Sequence, residues 1–356
     1  MLRLPKFRYL QPESVNEAVR MMADSGTDAM FVSGGTDLYP NMKRRQQTPS
    51  IVIGLPEIAE LRFIKGEPQD GMVLGAGATL TDITKNRQVR GGYPVVARAA
   101  ELISTPQLRN VSTIGGNLLL DTRCNYYDQT YEWRKGIHFC MKLAGEICWV
   151  APSSPRCWAV QSSDNAPVMV AIGARVKLVS AFGERVIPAE ELYNDDGIEY
   201  LTKRQDELLT EVHLPPTNGW KATYWKLRRR GSFDFPVLGV AVRLLQRSDG
   251  TVEQAKIILG GVGSHPIEAK NSEKVIIGKK LTEDLVREAA TAAYAFAKPL
   301  DNTDFHMAWR KEMTKKYVAG ALRELAGLPP AFPKAGIDHS ANGSKGANGT
   351  SGPRIL

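Results

Sequence analysis

The chain has 356 residues, of which 43% are hydrophobic and 24% charged, and its net charge is +8. This length allows two or three domains with cores of their own, and the composition is that of a soluble globular protein. No run of about 18 apolar residues occurs, so the sequence predicts no membrane-spanning helix and no membrane partner.

The basic residues are dispersed along the chain. The densest group is Lys226, Arg228, Arg229 and Arg230, and no recognisable nucleic-acid-binding module accompanies it. We therefore expect no nucleic acid partner and interpret the charge as a surface for an acidic protein or a phosphate-bearing cofactor. The N-terminus lacks the apolar core and cleavage site of a signal peptide, so we expect a cytoplasmic protein without structural disulfides.

Residues 1–55 are predicted to form an N-terminal α+β subdomain. A short strand near Phe7 precedes a helix that starts at Ser14, where Glu17 completes the pattern of a capping box. Two apolar strands follow, one beginning at Ala29 and running into a glycine turn, the other at 51–54.

Residues 56–217 are predicted to form a second subdomain that ends at paired prolines. Its pattern predicts two hairpins, two helices and one loop: hairpins at 63–77 and 175–187, helices beginning at Thr79 and Tyr93, and a loop at 108–118. A cysteine-containing segment, 121–160, lies inside this subdomain.

Residues 218–328 are predicted to form a C-terminal domain. Three strands, at 221–226, 237–245 and 252–259, precede helices at 282–297 and 303–326. Residues 329–356 contain too few apolar side chains for a core, so we expect a disordered tail.

Two short stretches place paired glycines beside hydroxyl residues, Ser33-Gly-Gly-Thr-Asp37 and Ser112-Thr-Ile-Gly-Gly-Asn117. Glycine permits close backbone approach, so consecutive N–H groups can converge on an anion, and two such loops could clasp a pyrophosphate. The alternative is that both are plain turns. Neither stretch matches the dinucleotide-binding or P-loop patterns.

All four cysteines, Cys124, Cys140, Cys148 and Cys157, lie in about a tenth of the chain. Four thiolates suffice for a [4Fe–4S] cluster, whereas structural zinc usually takes closely spaced cysteine pairs, which do not occur here. The spacing favours iron, with zinc and unligated buried thiols as alternatives. Trp149 and Trp158 could shield a cluster from water, and His138 is expected to pack or hydrogen-bond rather than act as a ligand.

Four motifs in order resemble a known family: GGTD from Gly34, TIGGN from Thr113, SDNAPVMVA from Ser163 and YWKLRRRGSFDFPVLGVAV from Tyr224. Over residues 5–325 the chain resembles the FAD-binding subunits of the molybdenum hydroxylases, the group of xanthine dehydrogenase and carbon monoxide dehydrogenase. The resemblance implies an α+β fold. It would combine a vanillyl-alcohol-oxidase-type (PCMH-like) FAD-binding domain in two subdomains with a C-terminal domain of a three-stranded antiparallel sheet and helices.

By motif position, the resemblance implies a set of FAD-binding residues: Phe31, Val32, Ser33, Gly34, Gly35, Thr36, Asp37 and Leu38 in the first loop; Thr113, Ile114, Gly115, Gly116 and Asn117 in the second; and Ile103, Asp164, Leu209 and Lys226 elsewhere. Asp164 would accept hydrogen bonds from FAD hydroxyl groups. Lys226 would lie near the isoalloxazine edge, where a cation stabilises a reduced flavin. The alternatives are a helix N-cap for Asp164 and a solvated strand position for Lys226.

Most members of that group run almost directly from the TIGGN motif to the SD motif, whereas here about 40 residues lie between them. This departure resembles one branch, the flavoprotein (beta) subunits of 4-hydroxybenzoyl-CoA reductases, in which an added loop binds a [4Fe–4S] cluster. The branch implies that Cys124, Cys140, Cys148 and Cys157 are the cluster ligands.

The same resemblance implies an oxidoreductase subunit without catalytic residues of its own. It would pass electrons from ferredoxin via [4Fe–4S] and FAD to [2Fe–2S] clusters on a small subunit and to a molybdenum cofactor on a large subunit, in a dimer of heterotrimers. Two alternatives stay open. One is the FAD subunit of another molybdenum hydroxylase with outward electron flow, and the other is a zinc-stabilised assembly protein without redox activity.

Overall fold

A computed structural model describes residues 2–330, whose strands form three sheets. The strands are β1 (Arg8–Leu10), β2 (Ala29–Val32), β3 (Ile51–Gly54), β4 (Ile64–Glu67), β5 (Gly71–Gly75), β6 (Arg175–Ser180), β7 (Gly183–Pro188), β8 (Leu208–Leu214), β9 (Lys221–Leu227), β10 (Leu238–Gln246), β11 (Val252–Gly260) and β12 (Ile267–Glu268). The predicted disordered tail lies outside the described residues except for Pro329 and Pro330.

The α-helices are mostly short. They are α1 (Val15–Ser25), α2 (Leu38–Lys43), α3 (Leu80–Lys85), α4 (Arg87–Gly92), α5 (Pro94–Glu101), α6 (Pro106–Arg109), α7 (Ile114–Leu118), α8 (Tyr131–Gly136), α9 (Asn165–Ile172), α10 (Lys270–Ile276), α11 (Glu283–Ala293) and α12 (Met307–Ala326). Among the helices of the described region, none is both long enough and apolar enough to cross a bilayer.

The N-terminal sheet is parallel, with β3 between β1 and β2. Helix α1 covers it through Ala18, Val19 and Met22, which recur at helical spacing. As predicted, Ser14 caps this helix: its hydroxyl accepts a hydrogen bond from Glu17 N at 3.1 Å. Helix α2 was not predicted, because six residues that include a proline are too short to show helical periodicity.

The second sheet has five antiparallel strands in the order β4-β5-β8-β6-β7. Both predicted hairpins are confirmed. The predicted loop at 108–118 was wrong in part, because it contains helix α7 and the end of α6. The hydroxyl groups of Thr105 and Thr113 cap these one-turn helices, which the apolar pattern is too short to indicate.

The C-terminal sheet is antiparallel with the order β12-β11-β10-β9. The predicted three-stranded sheet was wrong, because the two-residue strand β12 adds a fourth; a strand that short has no detectable alternation. Helices α10, α11 and α12 cover one face of this sheet through a core that includes Trp225, Leu238 and Val240.

Helix α9 connects the second subdomain to the C-terminal sheet. All of its residues are buried, as expected for a helix that is apolar on every side. It packs on β10 and β11 as well as on α5 and α7, and Tyr224, Ala241 and Ile258 share its core. This packing brings Asp164, at the start of α9, next to strand β9.

Candidate functional site

The first glycine loop joins β2 to α2 in a conformation that requires glycine. Gly35 has a φ of +67°, and a Cβ on Gly34 would overlap the carbonyl group of Val111. Within residues 2–330, the backbone N–H groups of 34–37 have no hydrogen-bond partner. Consecutive free N–H groups of this kind form an anion-binding concavity, so the loop fits a phosphate group of a cofactor.

The N–H groups of the second glycine loop are engaged in hydrogen bonds within the protein. Ile114 N donates to Ala78 O at 3.0 Å and Gly115 N to Ala76 O at 2.9 Å, while Gly116 N donates to the Thr113 hydroxyl at 3.2 Å. The prediction that both loops offer N–H groups is therefore supported for the first loop only. The second loop instead presents side chains.

The two loops lie against each other. The hydroxyl groups of Thr36 and Ser112 are 3.0 Å apart. Asn117 Oδ1, at the end of the second loop, accepts from the Ser163 hydroxyl at 2.7 Å and from Asn165 Nδ2 at 2.9 Å. The structure thus brings the GGTD, TIGGN and SDN motifs to one place.

Asp164 and Lys226 form a buried ion pair with an N···O distance of 2.9 Å. Only 1% of the Lys226 side chain and 3% of the Asp164 side chain are exposed. Lys226 Nζ also donates to Leu102 O at 3.0 Å, and the Tyr224 hydroxyl donates to Asp164 Oδ1 at 2.8 Å. A solvated position for Lys226 is therefore excluded, and the Asp164 side chain makes no capping hydrogen bond.

The ion pair opposes the effects of burial on both groups. Burial raises the pKa of Asp164 and lowers the pKa of Lys226, while their mutual attraction acts against each shift. Arg228 adds positive charge nearby and donates to Leu102 O at 2.9 Å. The site therefore combines one buried carboxylate with two cations.

The remaining predicted FAD residues occupy different environments. Ile103 is buried just after α5, and its carbonyl accepts from Arg109 Nη1 at 2.7 Å. Leu209 packs in the core of the second subdomain, while Val32 and Leu38 pack in the small core beside β2 and α2, and Phe31 is half-buried. The assignment of all these residues to FAD stays a prediction.

The four cysteines form no disulfide bond among residues 2–330 and are buried, each between 5% and 8% exposed. Cys124, Cys140 and Cys157 share one apolar cluster with Tyr127 and Ala159. Burial raises the pKa of Cys124 to about 12 and that of Cys157 to about 11, and the electrostatic effect of the other thiols, Cys148 among them, adds to both rises. Three of the four thiols thus share one buried cluster, and Cys148 acts on Cys124 and Cys157 electrostatically. That the four thiols form one site stays a prediction.

The cysteine segment does not form a recognisable metal-ion site in the described structure. Within residues 2–330, no three Cys, His, Asp or Glu side chains are grouped as ligands of one metal ion. The assignment of the four cysteines as cluster ligands stays a prediction.

Arg123, next to the first cysteine, connects the cysteine segment to the first glycine loop. Its guanidinium pairs with Asp37 and lies 3.7 Å from Asp128 and 3.9 Å from the ring centroid of Phe235. Burial raises the pKa of Asp37, and Arg123 opposes that rise. Arg123 was not predicted as a site residue, although its position directly before Cys124 was a usable signal.

Arg134 and Gln46 provide further connections to the N-terminal subdomain. Arg134 is 1% exposed and donates to the carbonyl oxygens of Arg44 and Arg45 at 2.7 and 3.0 Å. Gln46 Nε2 donates to Tyr127 O at 2.7 Å. The cysteine segment is therefore fixed to the body of the protein.

Two predictions for the outer side of the segment differ from the structure. His138 is exposed, so it does not pack as expected. Trp149 is exposed and donates to Phe139 O at 2.5 Å, while Trp158 is half-buried beneath the Arg156 guanidinium, 3.6 Å from its ring centroid. These two rings cover the segment only partly.

Comparison with known proteins identifies the family. Residues 5–217 match the FAD binding domain in molybdopterin dehydrogenase, and residues 222–325 match the CO dehydrogenase flavoprotein C-terminal domain. The chain belongs to this molybdopterin dehydrogenase flavoprotein family. The α+β fold, the PCMH-type FAD-binding domain with a separate C-terminal domain, and an oxidoreductase subunit that binds FAD are thereby confirmed.

Similarity extends over nearly the full length of several family members. The carbon monoxide dehydrogenase medium chain of Hydrogenophaga pseudoflava is 28% identical over 324 residues, which are 89% of this chain and 97% of that protein. The aldehyde oxidoreductase FAD-binding subunit PaoB of Escherichia coli is 33% identical over 279 residues, 75% of this chain and 85% of that protein.

Solved structures of this family have the same fold. A carbon monoxide dehydrogenase structure from Hydrogenophaga pseudoflava superposes with a TM-score of 0.74 over 90% of this chain and 97% of that chain, at 28% identity. A structure of Cu,Mo-CO dehydrogenase gives a TM-score of 0.75 over 91% of this chain and 99% of that chain, at 25% identity. The family descriptions name FAD and no iron–sulfur cluster, so a role for the cysteine segment depends on its own residues.

Proposed function

We propose that the chain is the electron-transfer flavoprotein subunit of a molybdenum-containing 4-hydroxybenzoyl-CoA reductase. It would hold FAD at the glycine loops and a [4Fe–4S] cluster on Cys124, Cys140, Cys148 and Cys157. Its partners would be ferredoxin as electron donor, a small subunit with [2Fe–2S] clusters and a large subunit with the molybdenum cofactor, as a dimer of heterotrimers in the cytoplasm. The similarity to a carbon monoxide dehydrogenase medium chain and to a structure of Cu,Mo-CO dehydrogenase supports a role as one subunit of a molybdenum enzyme.

One observation carries the proposal: four buried thiols lie in a segment that Arg123 joins to the first glycine loop. A segment that only stabilises the fold would need no connection to the cofactor side of the protein. A one-electron centre does, because electron transfer to a flavin requires short distances. The Arg123–Asp37 pair provides that proximity through adjacent residues of the two sites.

The chemistry of the two groups is distinct: FAD, when bound, exchanges one or two electrons, whereas an iron–sulfur cluster exchanges one. The chain supplies their environment. The free N–H groups of 34–37 would bind a phosphate, and the Asp164–Lys226 pair fixes an ammonium group near Leu102. Arg123 holds Asp37, and Tyr127 excludes water from the thiols.

Anaerobic purification with counts of iron, sulfide and FAD tests the cofactor content. We expect about four irons and one FAD per chain, with an EPR signal after reduction. Zinc without iron would contradict the cluster and favour the assembly-protein alternative. Absence of FAD would contradict the flavoprotein role as well.

Substitution Cys148→Ser tests whether the thiols hold the cluster. We expect loss of most of the iron and of the EPR signal, while most of the FAD stays bound, because the cysteines lie outside the glycine loops. Ser153→Ala, at an exposed position of the same segment, is the matched control and should keep both groups. Simultaneous loss of all FAD from Cys148→Ser would mean that the segment only stabilises the fold.

A second candidate function is the flavoprotein subunit of a molybdenum enzyme that oxidises its substrate and passes electrons outward. The similarity to carbon monoxide dehydrogenase and to aldehyde oxidoreductase favours it. The two candidates differ in the external partner of the FAD. Rapid reduction of the complex by reduced ferredoxin supports the reductase, whereas reoxidation by NAD(P)⁺ with no reaction with ferredoxin supports the oxidising enzyme.

A further inference from the structure

Lys142 is a buried cation inside the cysteine segment, two residues after Cys140. Only 6% of its side-chain surface is exposed. Its ammonium donates to Asp121 Oδ1 at 2.9 Å, to the Thr122 hydroxyl at 2.7 Å and to Gly197 O at 2.6 Å. An ammonium has three N–H donors, so all of them are used, and the charge is held at one position.

Gly197 links this ammonium to a cysteine sulfur. The carbonyl of Gly197 accepts from Lys142, and its N–H donates to Cys157 O at 3.0 Å. A Cβ on Gly197 would lie 2.6 Å from Cys157 Sγ, so the sulfur packs directly against this glycine.

The counter-ion of Lys142 has its own partners. Asp121 Oδ2 accepts from the Tyr127 hydroxyl at 3.2 Å and from Gln47 Nε2 at 3.3 Å. The rings of Tyr127 and Tyr200 lie 4.8 and 5.3 Å from the Lys142 ammonium. These rings exclude water, and a charge acts more strongly on its neighbours in such surroundings than in solvent.

Four thiolates outweigh the charge of an iron–sulfur core, and reduction adds one further negative charge. We propose that Lys142 sets the reduction potential of the cluster, an inference that rests on the proposed function. The fixed ammonium stabilises the added negative charge and so raises the potential. The step is the transfer of one electron from the reductant. No covalent bond forms or breaks, and no proton is required.

Redox titration with dithionite, followed by EPR on the purified complex, tests this proposal. In Lys142→Met we expect a shift of the cluster midpoint potential to more negative values, whereas Lys142→Arg should stay near the wild-type value. Because Lys142→Met leaves Asp121 without its cation, a double variant with Asp121→Asn is measured in parallel. It should also shift to negative values, since Lys142 is linked through Gly197 to the Cys157 sulfur, whereas Asp121 contacts Gln47 and Tyr127.

Lys256→Met is the matched control, because Lys256 is also a partly buried lysine paired with carboxylates, but lies in the C-terminal sheet. It should leave the potential unchanged. A wild-type potential in Lys142→Met and in the double variant, with iron still bound, overturns the proposal. Loss of iron from these two variants with FAD retained overturns it too, because Lys142 is then only a structural contact. Wild-type protein without iron is a separate result that overturns the proposed function itself.

Discussion

Two buried lysine–aspartate pairs, Lys226–Asp164 and Lys142–Asp121, have the same N···O distance of 2.9 Å but connect different parts of the molecule. The first joins the edge strand β9 of the C-terminal sheet to the start of α9. The second lies within the cysteine segment. Loss of the first pair should therefore affect two domains, whereas loss of the second should affect one segment.

The pairs also differ in what remains when the carboxylate is removed. Lys226 would keep only the Leu102 carbonyl, with Arg228 donating to the same oxygen. Lys142 would keep the Thr122 hydroxyl and the Gly197 carbonyl. An unpaired buried charge destabilises a protein far more than a buried ion pair stabilises it. The acceptors that remain therefore determine how much stability is lost with the carboxylate.

The largest effect is expected for Asp164→Asn. It leaves the Lys226 ammonium buried without a counter-charge, which should lower the free energy of unfolding by about 3–5 kcal/mol. Guanidinium unfolding measures this, and FAD content should fall in parallel. The double variant with Lys226→Met removes both charges and should recover part of the loss; equal stability of the single variant and wild type would contradict the role of this pair.

A smaller and more local effect is expected for Asp121→Asn. Lys142 keeps two neutral acceptors, so the loss should be about 2 kcal/mol. Hydrogen exchange should increase in the cysteine segment and not in the C-terminal sheet, with FAD retained. Asp206→Asn, which removes a partly exposed partner of Arg204, should change stability by less than about 1 kcal/mol. Increased exchange throughout the molecule would remove the distinction between the two pairs.

Glu273 is another buried carboxylate, and among residues 2–330 no lysine pairs with it: the nearby Lys256 pairs with Glu268 at 2.8 Å. Burial raises the pKa of Glu273 to about 7, although Ile257 N donates to its carboxylate at 2.7 Å. Since the folded state keeps this proton longer than the unfolded state, the stability it contributes is complete below about pH 4.5 and is lost as pH rises through about 7.

Glu273→Gln should remove this dependence. We expect a gain of about 1 kcal/mol at pH 8 and little change at pH 5, measured by urea unfolding. Exposed Glu253→Gln is the control and should change neither value. A variant that is less stable at pH 8 would show that the carboxylate is ionised and paired, like Asp164.

Much of the fold could be predicted from local pattern. The helix capped by Ser14 and the two hairpins follow from short-range periodicity and turn residues, and the structure confirms them. The one-turn helices α6 and α7 and the two-residue strand β12 could not be predicted, because their apolar pattern is shorter than one period. Asp164 and Lys226 were both predicted as site residues. Their contact, between residues 62 positions apart in the chain, was not predicted.

The sequence by itself determined the family motifs, their order and the gathering of four cysteines in one segment, because each depends on residues close together in the chain. Only the tertiary structure decided that the first glycine loop keeps its N–H groups free while the second uses them. It also decided that Arg123 reaches Asp37 and that Gly197 links Lys142 to Cys157. Hydrogen-bond partners and buried charge pairs are set by packing between distant segments, which no local pattern of residues encodes.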